Sequence, residues 1–384
     1  MARVSPLRDR HLQAQASLVP YGPTDHPAGA VELVEAFGEL ELEYAALRKQ
    51  AVLLDLPSRG VVEVRGDDRI PFINRMLTQE LKDLRAFHWR PSFWLNRKGR
   101  IDADIRVIEL GDRTLLEMDV HSVDITLQTL GAFIITEDVT LADTTPKHHR
   151  LALHGPKSLE LLATIEDPAH HEGPAFEALS QGQACVASIA GVCTLVVRDD
   201  ATGEIGLELL MPRDDAPRLA DALTGARPIG WHAFNIARIE AGTPLYNIDF
   251  GPKSTPAETG LLASRVSFTK GCYLGQEVVA RMHARGHSKQ LLVAIRFDSI
   301  AQDESDLPRL PIAGALLTAP GSPEPVGAVA SSTLSPMLGA APIALAQVKP
   351  AFAAAGTTLA ADEGVTPLPG MVQPSLVFWS KGSR

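Results

Sequence analysis

The run Lys270-Gly271-Cys272-Tyr273-Leu274-Gly275-Gln276-Glu277 gathers an ammonium, a thiol, an amide and a carboxylate into one short stretch. Nucleophilic thiol chemistry is what such a group could support. Gly271 and Gly275 mark a tight loop on either side of the cysteine, since glycine takes backbone angles closed to other residues. Residues 276–282 are helix formers without a breaker. Cys272 is therefore expected just before a helix N-terminus, whose partial positive charge favours a thiolate. Lys270 would push the same way, and thiols in such surroundings titrate at about 3.5–7.5 rather than about 8.5. The alternative on local features is that Cys272 is a small buried hydrophobe, as free cysteines often are.

Other residues invite chemistry by type and spacing. In Gly99-Arg100-Ile101-Asp102-Ala103-Asp104 the two carboxylates lie two apart, so a strand would point both to one face. Arg238 stands among Phe234, Ile236, Ile239 and Ala241, and its guanidinium needs an anion or an exit to solvent: a ligand carboxylate, or an internal partner such as Glu240. Glu208 ends Thr202-Gly203-Glu204-Ile205-Gly206-Leu207-Glu208, and by its neighbours alone it is a solvated charge at a strand edge. His283 and His287 would suit one metal on a continuous helix, but Gly286 interrupts the segment and no further ligand is near, so no metal is assigned. Cys185 and Cys193 fall in apolar stretches and are expected in the core. Three cysteines without a Cys-x-x-Cys pair encode neither a disulfide framework nor a four-cysteine cluster site.

The elements that must hold these groups follow from periodicity. Residues 1–30 mix proline, glycine and polar groups and read as an arm on the surface; 32–50 read as helical. Strands are expected at 60–66, 92–95, 101–110, 114–120 and 139–143, with Asp67 as N-cap of a helix reaching Leu77 and a second helix over 122–133. A further portion starts near Arg150, with a strand around Leu151, a helix over 156–165, a hairpin of 183–189 and 192–198, a loop at 199–206, a strand at 207–211, and helices at 217–223 and 233–241. This mixture without strict alternation favours α+β units with antiparallel sheet. Short apolar runs and turn signals over 287–384 fit a small β-barrel, with 299–306 as a surface loop.

Composition limits the partners. At 384 residues the chain needs more than one core, and 45% hydrophobic residues suffice to build them. With 36 basic against 46 acidic residues the net charge of -10 opposes direct nucleic-acid binding. No run reaches the roughly 18 apolar residues of a membrane span, and the start lacks the apolar core of a secretory signal. A soluble, cytoplasmic protein is the expectation.

The octapeptide 270–277 resembles the signature of the YgfZ-type folate-binding proteins linked to iron-sulfur enzyme maintenance. Other segments are similar, in order, to the larger superfamily containing the aminomethyltransferase (T-protein) of the glycine cleavage system. These include Glu43-Tyr44-Ala45-Ala46-Leu47-Arg48, Met76-Leu77-Thr78, the Asn96–Asp104 stretch, His154-Gly155-Pro156, the motif ending in Glu208, Arg238-Ile239-Glu240-Ala241-Gly242, Tyr246 with Asp249, and Thr255-Pro256-Ala257-Glu258. The resemblance runs from about Ala30 to the end.

It implies three domains around a central folate-binding channel: a region 31–286 of two intertwined α+β domains meeting near 150, and a C-terminal β-barrel over 287–384. It implies tetrahydrofolate or a one-carbon derivative as the ligand. Glu208 would be the pterin-binding carboxylate, Arg238 a partner for the folate anion, and Leu95 with Trp94 would flank the pterin. Tyr246 and Asp249 would complete the site, with Asn247 where the superfamily usually has glycine. Asp104 would lie near the reactive folate nitrogen, although Ala103 replaces the aspartate usual in T-proteins. On this resemblance the leading expectation is support of iron-sulfur enzymes or their assembly factors, with Cys272 and Lys270 as the functional thiol and its neighbour. The alternatives are an aminomethyltransferase, favoured by Asp104 and Thr255-Pro256-Ala257-Glu258, and a folate-independent scaffold.

Overall fold

Period-two alternation builds the sheet that carries the acidic strand. In Ile101–Glu109, Ile101, Ala103 and Ile105 turn inward, while Asp102 and Asp104 keep partial contact with solvent, as the pleat dictates. The computed structural model describes residues 3–23, 26, 29–285, 288–300, 308–322, 324–362 and 366–381. Among them this strand belongs to a five-stranded sheet ordered His88–Leu95, Ile101–Glu109, Thr114–Asp119, Arg59–Arg65, Thr140–Asp143. Phe72 and Ile73 of the helix Arg69–Met76 and Leu130 of the helix Val123–Gly131 pack on Trp94, Val107 and Leu116 of the sheet. Each such buried side chain stabilises by about 1.5–3 kcal/mol.

A second, seven-stranded sheet is ordered Glu166–Glu172, Ala184–Ile189, Val192–Arg198, Gly206–Pro212, His148–His154, Val52–Asp55, Arg227–Ile229. Only its last pair is parallel among the described residues. Leu151, Leu153, Leu207 and Leu209 supply its core with Phe176, Leu219 and Leu223. The register sets Glu208 between Ala152 and Val197. Gly206 has to be glycine, because a Cβ there would lie 2.0 Å from the Asp199 carbonyl oxygen.

Both sheets lie in one compact unit, Met1–Leu95 with Asp102–Phe234 and Ser264–Leu274. The other unit comprises Asn96–Ile101, Asn235–Ala263 and Gly275–Arg384. Its described residues include a closed six-stranded barrel in the order Leu291–Phe297, Ala341–Val348, Gly327–Ser335, Leu316–Thr318, Thr358–Asp362, Leu368–Val372. Val293, Ile295, Leu317, Ala344 and Leu359 fill it, and closure leaves no free sheet edge. No helix of the described residues is long and apolar enough to cross a membrane.

Several elements differ from the sequence reading. Residues 31–36 form the strand Val31–Ala36, pairing with Ser17–Tyr21, and the helix begins only at Leu40. The N-terminal segment is likewise built, with a helix Arg8–Gln13 whose His11 is held by Asp55 at 2.8 Å. Asp68, not Asp67, occupies the N-cap position before Arg69, and its carboxylate accepts from the Asp138 amide instead of capping. Cys193 is exposed rather than in the core: in a strand Val192, Thr194 and Val196 take the inner face. His287 and most of the loop expected at 299–306 lie outside the described residues.

Candidate functional site

Glu208 enters a cluster of charges. Its Oε1 accepts from Arg106 Nη2 at 2.9 Å and its Oε2 from Arg150 Nη1. Arg106 also donates to Asp199 and, at 3.2 Å, to Glu117, which accepts from Arg150 at 2.9 Å. The Arg106 guanidinium lies 4.9 Å from the Trp89 ring centroid. Glu208 is thus no solvated edge charge: its side chain is 13% exposed. Burial pushes its carboxyl pKa up, but Arg106 and Arg150 outweigh that and hold it well below the usual carboxylate range.

The loop before this strand is fixed by the early motif. Arg48 donates to the Thr202 carbonyl at 2.8 Å, stacks 5.2 Å from the Tyr44 ring centroid and lies 3.8 Å from Glu204. Asp200 accepts from the Gly206 amide at 2.9 Å. His154, opposite Gly206, is buried beside Phe234 at 5.4 Å, and Phe234 touches Trp231 at 5.6 Å. Burial lowers His154 to about 4, so the ring is neutral at neutral pH, and its Nδ1 has no hydrogen-bond partner among the described residues.

Asp104 is paired by Arg265, Nε to Oδ1 at 2.9 Å and Nη2 to Oδ2 at 3.4 Å. Leu95 is fully buried and Trp94 nearly so, with Trp94 Nε1 donating to Thr129 Oγ1 at 2.8 Å. Both side chains pack into the core of the five-stranded sheet or against it, as inward positions of a covered strand do.

Cys272 is exposed, four residues before the helix Gln276–Arg285, which removes the buried-hydrophobe alternative. Lys270 does not serve the thiol. Its Nζ donates to the carbonyls of Asn74 at 2.5 Å, Leu77 at 2.8 Å and Gln79 at 2.7 Å, which uses all three ammonium protons at the negative end of the helix Arg69–Met76. Burial lowers Lys270 to about 8. Cys185 is buried and pushed up to about 12.

In the other unit Arg238 and Asp249 form an ion pair with both side chains fully buried. Asp249 accepts further from the Leu245 amide at 2.8 Å and from Ser331 Oγ at 2.5 Å. The anion that Arg238 requires is therefore internal, though it is Asp249 rather than Glu240, which takes Ser335 Oγ at 2.5 Å. Tyr246 donates to the Ile101 carbonyl at 3.2 Å and meets Phe250 edge-on. Asn247 adopts a left-handed φ of 66°, which asparagine tolerates better than most residues. No group of three or more His, Cys, Asp or Glu among the described residues could hold a metal.

The GCVT N-terminal domain model matches residues 7–270. This chain belongs to the GCVT family. Aminomethyltransferase of Desulfitobacterium hafniense is 26% identical over 98% of both chains, and that of Streptomyces coelicolor is 30% identical over 84% of each. The crystal structure of glycine cleavage system aminomethyltransferase T from Bartonella henselae superposes with a TM-score of 0.85, covering 99% of this chain and 98% of that one at 22% identity, so the expected T-protein-like fold is the one present. These relatives overturn the leading functional expectation. Matches along almost the whole length carry the aminomethyltransferase name, whereas the iron-sulfur reading and its client partners rested on one octapeptide.

Within this GCVT-family chain the sequence reading missed Arg106, Arg150, Glu117 and Arg265. A signal existed for Arg106, which continues the two-residue alternation of Asp102 and Asp104 onto the same face. Nothing local announces Arg150 or Arg265, whose partners are 58 and 161 residues away.

Proposed function

We propose that this chain is a folate-dependent aminomethyltransferase, taking an aminomethyl group from the lipoyl arm of a carrier protein and releasing ammonia. The observation that carries this reading is the end-to-end alignment, 98% of both chains, with a relative of that name.

The donor set suits the pterin end of tetrahydrofolate, whose N–H edge needs anionic acceptors. Each Glu208 oxygen spends one lone pair on an arginine and keeps another, so the anion can still accept a ligand N–H. The tail end is different, because Arg238 is committed to Asp249. Tetrahydrofolate, when bound, supplies two amine nitrogens to the methylene carbon, whose bonds to sulfur and to ammonia break while the two amine protons pass to those leaving groups. Asp104 is assigned the reacting end: its carboxylate orients an amine N–H and offsets positive charge growing on the nitrogen. Arg106 and Arg150 keep Glu208 ionised, and Arg48 holds the loop that delivers it.

The test is ammonia release from an aminomethylated lipoyl carrier with tetrahydrofolate, for the wild type and Asp104→Asn. Release that depends on both substrates and falls in the variant is expected. A folded wild type that releases none rejects the reading.

A further inference from the structure

The segment Ser264–Leu274, which contains most of the octapeptide, carries no group assigned to the transfer chemistry. It is nonetheless fastened along its length. Thr78 Oγ1 donates to the Arg265 carbonyl at 2.6 Å, Gln79 Nε2 to the Ser264 carbonyl at 2.9 Å, and the Ser267 amide to the Thr78 carbonyl at 3.0 Å. Further on, Lys270 inserts its ammonium among the carbonyls of Asn74, Leu77 and Gln79, and Leu274 packs on the core of the five-stranded sheet. Thr78 is itself tied to that sheet, accepting the Phe93 amide at 2.9 Å. The backbone carrying Arg265 and the strand carrying Asp104 therefore share one frame.

From this frame Arg265 reaches both oxygens of Asp104. A carboxylate on a strand rotates freely about its last bond unless something fixes it. A guanidinium fork fixes the plane, takes one lone pair from each oxygen and leaves the others aimed in defined directions. With side chains 20% and 17% exposed, the pair is neither sealed in the core nor free in solvent. Lysine could supply the charge but not the fork.

We propose that Arg265 is a positioning residue for Asp104, and that Ser264–Leu274 is the brace that holds it there. The proposal rests on the transferase reading of Asp104, and it gives the Lys270-bearing octapeptide a structural task within that site.

The experiment compares wild type, Arg265→Gln, Arg265→Lys, Asp104→Asn and the Asp104→Asn/Arg265→Gln double variant, by tetrahydrofolate calorimetry and by ammonia release. Arg265→Gln is expected to lower kcat about 10- to 100-fold with KM for the carrier little changed, and Arg265→Lys to recover part of it. In the Asp104→Asn background the second substitution should add nothing, because there is no longer a carboxylate to orient. Losses that multiply in the double variant would overturn the proposal. If the wild type binds tetrahydrofolate but releases no ammonia, the transferase reading fails by itself. Affinity then decides: Arg265→Gln must weaken binding in the wild type and not in Asp104→Asn, and equal affinities overturn the positioning role. A wild type that does not bind tetrahydrofolate overturns both. For the brace, Lys270→Met should speed amide exchange across 264–274, and unchanged exchange there would refute it.

Discussion

Glu208 and Arg106 meet at 2.9 Å in a cluster where neither side chain is more than 13% exposed, and Arg106 serves Asp199 and Glu117 from the same guanidinium. One fork thus binds three carboxylates from three strands or loops of the sheets. Arg106→Met would leave Glu208 and Glu117 each short of a partner in a buried setting, and breaking a buried pair this way costs about 3–5 kcal/mol. Urea unfolding should show a lower midpoint, and tetrahydrofolate affinity should fall as Glu208 loses its orientation. A midpoint equal to wild type would show that Arg150 alone organises the cluster.

His154 predicts a pH dependence with a definite sign. Burial lowers it from 6.5 to about 4, so between those values the unfolded chain binds a proton that the folded chain does not. Stability therefore falls as pH drops through that window, by on the order of 3 kcal/mol once both states are protonated. Glu208, held below the usual carboxylate range, adds its own loss only at lower pH: its contribution is present above the unfolded carboxyl value and disappears as pH falls through the folded one. His154→Leu should flatten the limb between about pH 6.5 and 4 while leaving the more acidic loss in place. Thermal midpoints across that range read it directly, and an unaltered limb would exclude His154 as its source.

The hairpin 183–189 and 192–198, the strand bearing Glu208 and the barrel were legible, because alternation and turn residues are local signals that survive into Ala184–Ile189, Val192–Arg198 and Gly206–Pro212. Residues 32–36 read as helix because Glu32 and Glu35 interrupt the alternation of Val31–Ala36, whose strand form is set by pairing with Ser17–Tyr21. The site was legible as residue types and not as partnerships. Arg238 was expected to seek an anion, which it does, but whether that anion came from a ligand or from Asp249 depends on the Leu245–Asp249 turn. Sequence proximity alone puts Lys270 beside the thiol, while the carbonyls that claim it lie more than 190 residues away.

The cysteines should divide by exposure. Cys193 and Cys272 are exposed and Cys185 is buried, with burial raising the Cys185 thiol to about 12. An aromatic disulfide reagent at neutral pH should titrate two thiols in the native protein and the third only on unfolding. Substituting Cys272 by serine should remove one of the two native equivalents. Three fast equivalents in the native state would mean that the sheet over Cys185 opens readily.

Arg238 offers the sharpest separation of a structural from a ligand-binding role. Its guanidinium and the Asp249 carboxylate are both fully buried; burial alone lowers the arginine pKa and Asp249 opposes that. Removing the cation in Arg238→Met leaves Asp249 charged and served, among the described residues, by neutral donors, the Leu245 amide and Ser331. The expected loss is about 3–5 kcal/mol, whereas the paired change Arg238→Met/Asp249→Asn removes both charges and should restore much of it. Folate binding tells the roles apart. Calorimetry on the folded double variant should give a tetrahydrofolate affinity within about threefold of wild type, since a threefold change is well under the 1.4 kcal/mol that marks a tenfold one. A loss beyond tenfold in that folded variant would mean that Arg238 leaves Asp249 to meet the ligand, and would return it to the folate site.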